Sequence, residues 1–226
     1  NNMYMKNLEY QAVWVSWDQK LLGRRSGPQT VKILTQAFDE YMRENNSDTF
    51  MHIRNLDWLY DRIPLPLKGK FIYKDDSWDY MDAIYSRFGM IAAVSERVKR
   101  ILEDLNVSQD EYVLKPISVE GSDRQIYLLF IKKISDAELI YPESSFKVYT
   151  PERMMHFSSY NERAMVPDGC GVRDIFLPES YRNRDIINLQ SSVPVFFSQR
   201  LVDAFEENKI KGFSVWNNHK TTLNFG

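Results

Sequence analysis

Apolar residues follow the same order in two separate parts of the chain. In each part a short apolar run leads into a Ser-x-Arg sequence, and the next apolar positions recur at the three- and four-residue spacing of an amphipathic helix. A second apolar run closes each part. The first copy spans Ile91–Val119 and the second spans Val195–Trp216. The pattern therefore predicts two similar strand–helix–strand units.

The Ser-x-Arg sequences predict structural roles at the start of each helix. Ser95 and Ser198 stand immediately before the helical pattern, where a serine hydroxyl accepts hydrogen bonds from backbone N–H groups that lack intrahelical partners. Arg97 and Arg200 follow in the first turn, where each can pair with a carboxylate or a partner surface. We interpret the two serines as N-caps and the two arginines as members of ion pairs. Ser198→Ala is therefore expected to cost about 1 kcal/mol of stability.

The apolar runs outside these units are short, and most have the β-branched and aromatic composition of strands. Tyr10–Trp17 is the densest run and predicts a buried strand. Helical spacing recurs after Thr30, a predicted N-cap, and over Ser77–Phe88. Further strands are predicted at 71–73, 112–119, 126–133, 146–149, 154–157 and 175–177.

These elements predict an α+β fold with short, mostly antiparallel strands, three to four helices and the two similar strand–helix–strand units. Residues 1–90 are interpreted as an amino-terminal α+β segment, and residues 91–226 as the region that holds both units. A chain of 226 residues suits one large domain or two small ones. The two parts are therefore expected as one compact domain or as two closely packed subdomains.

Charge and cysteine content narrow the expected partners and compartment. With 29 Lys and Arg against 31 Asp and Glu, the chain lacks the basic excess that binds nucleic acid or an anionic membrane, so neither is expected as a partner. The single cysteine, Cys170, excludes an intramolecular disulfide and fits a reducing compartment. No apolar run is long enough to span a bilayer, and no signal-like segment follows Asn1. A cytoplasmic protein is expected.

Common catalytic and phosphate-binding motifs are absent, so we predict no catalytic residues, no cofactor and no metal. The three histidines lack the paired spacing of metal ligands. One enzymatic alternative stays open: a small hydrolase or transferase whose site combines scattered residues such as Cys170, His156 and Asp168. A structural or assembly protein is a further alternative.

The two units and the strand between them resemble a known family. The segments that carry the resemblance, in chain order, are Ala93–Val98, Tyr112–Ile117, Ile126–Ile131, Val195–Leu201 and Lys211–Phe213. Together they resemble the bacterial immunity proteins of polymorphic-toxin systems, in particular immunity family eleven and the related family forty-three. The resemblance implies a non-enzymatic protein that is encoded beside a secreted toxin and protects its producer by binding that toxin. The implied partner is a cognate toxin protein.

The best candidate for a toxin-binding surface is an acidic cluster with aromatic neighbours. Its members are Asp75, Asp76, Trp78, Asp79, Tyr80 and Asp82. A toxin that acts on nucleic acid presents a basic cleft, and carboxylates with aromatic anchors can plug such a cleft. Alternatively, the aspartates only favour the first turn of a helix and face water. Arg182 and Arg184, beside Asp185 in a long irregular segment, are a second candidate surface because loops often carry recognition.

Overall fold

The computed structural model describes residues 9–16, 29–45, 63, 65–74, 76–86, 92–167, 169–190 and 194–226, with the backbone alone for 41–45. Its strands are β1 (Tyr10–Val15), β2 (Thr30–Ile33), β3 (Leu67–Phe71), β4 (Ala83–Ser86), β5 (Ala92–Ser95), β6 (Tyr112–Glu120), β7 (Ile126–Ile131), β8 (Ser145–Tyr149), β9 (Glu152–Met155), β10 (Cys170–Leu177), β11 (Ile186–Asn188), β12 (Val195–Ser198), β13 (Phe213–Val215) and β14 (Thr222–Phe225). Its α-helices are α1 (Gln36–Asn45), α2 (Glu96–Asp104), α3 (Tyr160–Ala164) and α4 (Gln199–Glu207). None of these helices is both long and apolar enough to cross a membrane. Most strand pairs are antiparallel, and the predicted α+β fold is confirmed.

Six strands close into a barrel in the order β2-β3-β6-β7-β5-β4. The pairs β2 with β4 and β3 with β6 are parallel, and the other four pairs are antiparallel. Alternate side chains of each strand point inward, so apolar residues such as Leu67, Leu128 and Phe130 fill the interior. The barrel is thus a packed core rather than a channel.

A four-stranded antiparallel sheet, here called the central sheet, packs on the outside of the barrel in the order β11-β12-β1-β13. The apolar layer between them includes Leu129 of the barrel and Val13 and Phe197 of the central sheet. Helices α2 and α4 contact each other and add Leu102 and Phe205 to this middle layer. The helices thereby close one end of the layer.

A third layer covers the other face of the central sheet. The outer sheet has the order β14-β10-β8-β9, with β10 and β14 parallel and the other pairs antiparallel. Phe146 and Ile175 of the outer sheet pack with Phe196 and Leu189 from the side of the central sheet. The strands of the central sheet are therefore covered on both faces.

The barrel and the central sheet share a local topology. In the barrel β7 lies between β5 and β6 and is antiparallel to both, and in the central sheet β1 lies in the same way between β12 and β13. The first residues of β6 and β13, Tyr112 and Phe213, pair with the last residues of β7 and β1, Ile131 and Val15. Each strand–helix–strand segment is therefore completed by a strand inserted between its own two strands.

The helix predicted over Ser77–Phe88 is wrong. Ser77–Asp79 forms a single 3-10 turn, Ala83–Ser86 is β4, and the last two residues of the predicted helix lie outside the described residues. Strand β4 pairs with β5 on one side and β2 on the other, and these bonds complete the barrel. Tertiary pairing outweighs the helical spacing of the local apolar residues.

The remaining differences concern element limits. Thr30 begins β2 instead of capping a helix, because β2 fills the gap between β3 and β4, and α1 begins at Gln36. The run Tyr10–Trp17 forms β1 as far as Val15, and Trp17 lies outside the described residues. The boundary predicted between residues 90 and 91 lies inside the barrel, between β4 and β5.

Candidate functional site

Asp82, Ser95 and Arg97 form a cluster at the start of α2, called the first cluster. Ser95 Oγ donates a 2.8 Å hydrogen bond to Asp82 Oδ1, and Arg97 Nη1 donates to Asp82 Oδ2 over 3.1 Å. The backbone N–H of Lys211 donates to the same Oδ2 over 3.1 Å. Asp82 is only 1% exposed, so these donors balance its charge inside the protein.

Asp185, Ser198 and Arg200 form the second cluster, at the start of α4. Ser198 Oγ donates to Asp185 Oδ1 over 2.6 Å, and Arg200 donates through Nε and Nη2 to the two carboxylate oxygens over 2.6 and 2.5 Å. In both clusters the aspartate precedes the serine by 13 residues and the arginine by 15. The same three residue types therefore recur with the same spacing and similar bonds.

A residue in the loop after α2 supports the second cluster, and a residue in the loop after α4 supports the first cluster. Glu111, after α2, accepts hydrogen bonds from the N–H groups of Asp185 and Ile186 at its Oε1, over 2.7 and 2.8 Å. The carbonyl oxygen of Lys211, after α4, accepts hydrogen bonds from the N–H groups of Asp82 and Ala83 over 2.7 and 3.1 Å. The two strand–helix–strand segments are interlocked through these four bonds.

The predicted N-cap serines occupy the N-cap positions of α2 and α4. The Ser198 hydroxyl accepts from Leu201 N–H over 3.4 Å while it donates to Asp185. The Ser95 hydroxyl makes no capping hydrogen bond, so this part of the prediction is wrong for Ser95. Its geometry instead directs the hydroxyl to Asp82. The predicted ion pairs of the arginines exist, and their partners are the two buried aspartates.

The predicted acidic contact surface divides into a buried part and an exposed part. Trp78 is 2% exposed and Asp82 is 1% exposed, so the prediction that they contact a partner is wrong. The 3-10 turn directs Trp78 into the barrel core, and Asp82 belongs to the first cluster. Asp76 and Asp79 are exposed. Asp75 lies outside the described residues.

The buried side of this turn is fixed by Arg124. Its guanidinium lies 4.7 Å from the centre of the Trp78 ring, and its Nη1 donates to the carbonyl oxygens of Trp78 and of Met81, the latter over 3.1 Å. Arg124 Nη2 is also 4.0 Å from Asp82 Oδ1. The rings of Phe71 and Trp78 are 6.3 Å apart, and this contact joins the end of β3 to the 3-10 turn in the middle of the loop. Arg124 and Phe71 therefore fix the turn through contacts on its buried side.

The solvent side of the same loop exposes apolar and aromatic side chains beside the carboxylates. Ile72 is 49% exposed, Tyr73 38% and Tyr80 37%. With Asp76 and Asp79 they form what we call the acidic loop surface. Of the two predicted aromatic members, Tyr80 is exposed and Trp78 is not, and Tyr73 is an exposed tyrosine that the prediction did not include.

The second predicted surface, around Arg182 and Arg184, is built into local contacts. Arg182 pairs with Glu179 and lies 5.2 Å from the centre of the Phe225 ring, and Arg184 lies 4.9 Å from that of Tyr181. The hydroxyl of Tyr10 donates to the backbone carbonyls of both arginines over 2.6 Å. Both arginine side chains are half-buried, and their neighbour Asp185 is buried in the second cluster.

The residues of the enzymatic alternative do not come together. Cys170 pairs with Val148 on one side of β8, whereas His156 follows β9 on the other side, with its Nδ1 2.8 Å from the carbonyl oxygen of Ser144. Three residues along a strand and two strand spacings separate these positions by more than about 10 Å. Asp168 lies outside the described residues. Within the described ranges no three His, Cys, Asp or Glu residues are grouped to hold a metal ion.

Sequence reasoning misses the carboxylates on which the structure depends. It places Asp185 on a loop surface and does not single out Glu111. The equal distances from Asp82 to Ser95 and from Asp185 to Ser198 are the available signal. Nothing local marks Glu111, because its partner Asp185 is 74 residues away.

No model of a known protein family matches this sequence, and no curated protein is significantly similar to it.

Proposed function

We propose that this chain is an immunity protein, a non-catalytic binder that neutralises a cognate bacterial toxin. The observation that carries the proposal is the acidic loop surface, where Ile72, Tyr73 and Tyr80 are exposed beside Asp76 and Asp79. Tyrosines are enriched in protein–protein interfaces, and a few such anchors supply most of the binding energy. The same role is what the short segments between Ala93 and Phe213 imply by their resemblance to immunity families.

The charge of the surface indicates the kind of toxin. The exposed described residues of the loop carry the carboxylates of Asp76 and Asp79 and one cation, Lys74. A toxin that acts on nucleic acid needs a basic cleft for its polyanionic substrate. A negative surface with aromatic anchors is complementary to that cleft and speeds association by electrostatic steering. The proposed mode of neutralisation is therefore obstruction of a basic active site.

The support beneath the loop favours tight binding. Trp78 is packed in the barrel core, and Arg124 holds the backbone of the turn through two carbonyl groups. A surface that is already ordered loses less conformational entropy when it binds. The buried residues of the predicted site thus act indirectly, because they position the exposed ones.

The test is co-purification with the toxin encoded beside the gene for this chain, followed by titration calorimetry. The full chain is expected to form a stable one-to-one complex and to inhibit the toxin. Asp76→Lys with Asp79→Lys is expected to weaken binding at least tenfold and to slow association most at low salt, because it reverses two charges of the surface. Tyr80→Ala is expected to weaken binding with little change in salt dependence.

A matched control carries the same charge change elsewhere. Glu206 and Glu207 are exposed on α4, so Glu206→Lys with Glu207→Lys should leave the affinity within about twofold of the unmodified chain. Equal weakening by both double variants would show a general charge effect and remove the acidic loop surface from the proposal. No complex with the unmodified chain would overturn the immunity function itself.

A further inference from the structure

We propose that this chain also binds a small, uncharged, apolar ligand between the barrel and the central sheet, independently of the proposed function. A half-enclosed cavity of about 240 Å³ lies in the apolar layer between them. Both sides contribute walls. The barrel supplies Ala92, Leu129 and Ile131, and the central sheet supplies Val13, Val195 and Phe197.

The fold explains why the cavity lies at this end of the layer. Helices α2 and α4 start at the carboxyl ends of β5 and β12 and fill the adjoining part of the layer with Leu102, Leu201 and Phe205. Ala92 and Val195 are the first residues of the same strands and line the cavity at their opposite ends. The space is therefore left where the helices do not reach.

The lining selects the chemistry of the ligand. Among the residues that the structure describes, none that lines the cavity carries a charged side chain, and Tyr85 and two tryptophans are the lining residues with polar side-chain atoms. A charged ligand would lose its hydration there without gaining a partner charge. A dry apolar cavity of about 150 Å³ holds one benzene molecule, so the larger space here suits a bicyclic aromatic of the size of indole.

A stacked pair of tryptophans, of which Trp14 is exposed and Trp216 is half-buried, lines the cavity. Trp14 is 41% exposed, and its ring stacks on Trp216 with the centres 5.6 Å apart and an interplanar angle of 21°. A flat aromatic ligand that enters here can stack on the same pair, because offset aromatic contacts add to the burial of apolar area.

The test is a calorimetric titration of the full chain with indole. We expect saturable binding to one site, and at least tenfold weaker binding of tryptamine, whose ammonium group would have to enter an uncharged cavity. Ala92→Leu adds volume inside the cavity and is expected to weaken indole binding at least tenfold. Val195→Phe does the same from a half-buried position, and it serves if Ala92→Leu fails to fold.

The matched control is Ala164→Leu, which adds the same volume at an exposed position of α3 and should leave indole binding unchanged. Absence of saturable binding to the unmodified chain would overturn the proposal. Binding that survives both filling variants would place indole at another site and would overturn it as well.

Discussion

At the scale of single residues, the charges of Asp82 and Asp185 make contacts inside the protein. Asp82 is buried and accepts hydrogen bonds from the Ser95 hydroxyl, the Arg97 guanidinium and the Lys211 backbone. Removal of one member of such a buried network costs more than the net worth of any single bond, because the others lose a charged partner. The clusters therefore contribute to stability.

Asp82→Asn is expected to lower the free energy of unfolding by about 2–4 kcal/mol, because the asparagine amide has one acceptor oxygen where the carboxylate has two. It therefore cannot accept from Ser95 on one side and from Arg97 and Lys211 on the other, and it lacks the charge that pairs with Arg97. Urea denaturation at neutral pH measures this loss. Asp79→Asn is the control, since Asp79 is exposed and its change should stay within about 0.5 kcal/mol. Similar losses in the two variants would contradict the structural role assigned to Asp82.

Glu111 makes stability depend on pH. Burial, assisted by the charge of Asp185, raises its pKa to about 7, although the N–H groups of Ile186 and Asp185 act in the opposite direction. The unfolded chain releases this proton near the ordinary glutamate pKa of about 4.3. Between that pH and about 7 the folded protein holds a proton that the unfolded chain has lost, so stability falls as pH rises, and above about 7 the contribution is constant.

Glu111→Gln is expected to remove this dependence. The glutamine Oε1 still accepts from Asp185 and Ile186, but the side chain no longer titrates. The variant should match the unmodified chain near pH 4 and exceed it by up to about 3 kcal/mol near pH 8, since each pKa unit is worth about 1.36 kcal/mol. Denaturation at a series of pH values gives the difference between the two curves. Parallel curves would contradict the raised pKa.

The sequence predicts the N-cap positions of the two serines, but it does not directly predict the acceptors of their hydroxyl groups. The N-cap positions of Ser95 and Ser198 follow from local patterns, because a cap and its helix are adjacent. The acceptor for each hydroxyl is set by the strand that pairs beside it, so Asp82 and Asp185 are recognisable only from their equal spacing. Glu111 acts across the interlocked segments and leaves no local trace.

At the scale of elements, the interlock requires a close approach of two backbones. Gly212, just before β13, has a φ of +124°, and a Cβ placed on it would lie 2.8 Å from the nitrogen of Ala83 and closer still to its carbonyl oxygen. Both the left-handed conformation and the missing space favour glycine. The start of β4 is thus pressed against the loop after α4.

Gly212→Ala is expected to destabilise the protein by about 3 kcal/mol or more, because the methyl group meets backbone atoms that cannot move independently. Gly121→Ala is a matched control. Gly121 also has a positive φ, of +79°, but no atom lies within 4 Å of the position that an added methyl group would take. It should lose only about 1 kcal/mol. Equal losses by thermal or urea unfolding would show that backbone conformation alone, and not the close approach, sets the cost.

Element prediction fails where pairing decides the structure. The segment from Ser77 has apolar residues at helical spacing, yet Ala83–Ser86 forms β4 because two neighbouring strands offer it hydrogen bonds. The strand β1 and the helices α2 and α4 are predictable, since each has one strong local pattern and no competing partner.

At the scale of the whole molecule, the sequence boundary at 90/91 does not separate independent units among the described strands. Strand β1 pairs with β12 and β13, and β4 pairs with β5. Sequence cannot reveal these pairings, because strand partners far apart in the chain share no local signal. The local elements are therefore more predictable from the sequence than the pairings that join residues 1–90 to residues 91–226.

Residues 91–226 produced alone are expected not to fold cooperatively. This fragment lacks β1 from the middle of the central sheet and β2, β3 and β4 from the barrel. Near-ultraviolet circular dichroism and urea unfolding should show little fixed packing, whereas co-expression with residues 1–90 should restore a cooperative transition. A fragment that unfolds cooperatively with nearly the stability of the full chain would contradict this prediction.

The position of β1 also fixes the order of events during synthesis. This strand leaves the ribosome before the other described strands, but β12 and β13, on its two sides, are among the last of them to be made. Until then β1 lacks both of the strands with which it pairs in the central sheet. Pairings between such distant segments form slowly, and exposed strands invite aggregation. A nascent chain of this protein must therefore keep β1 available, or shielded, while nearly all the other described strands are translated.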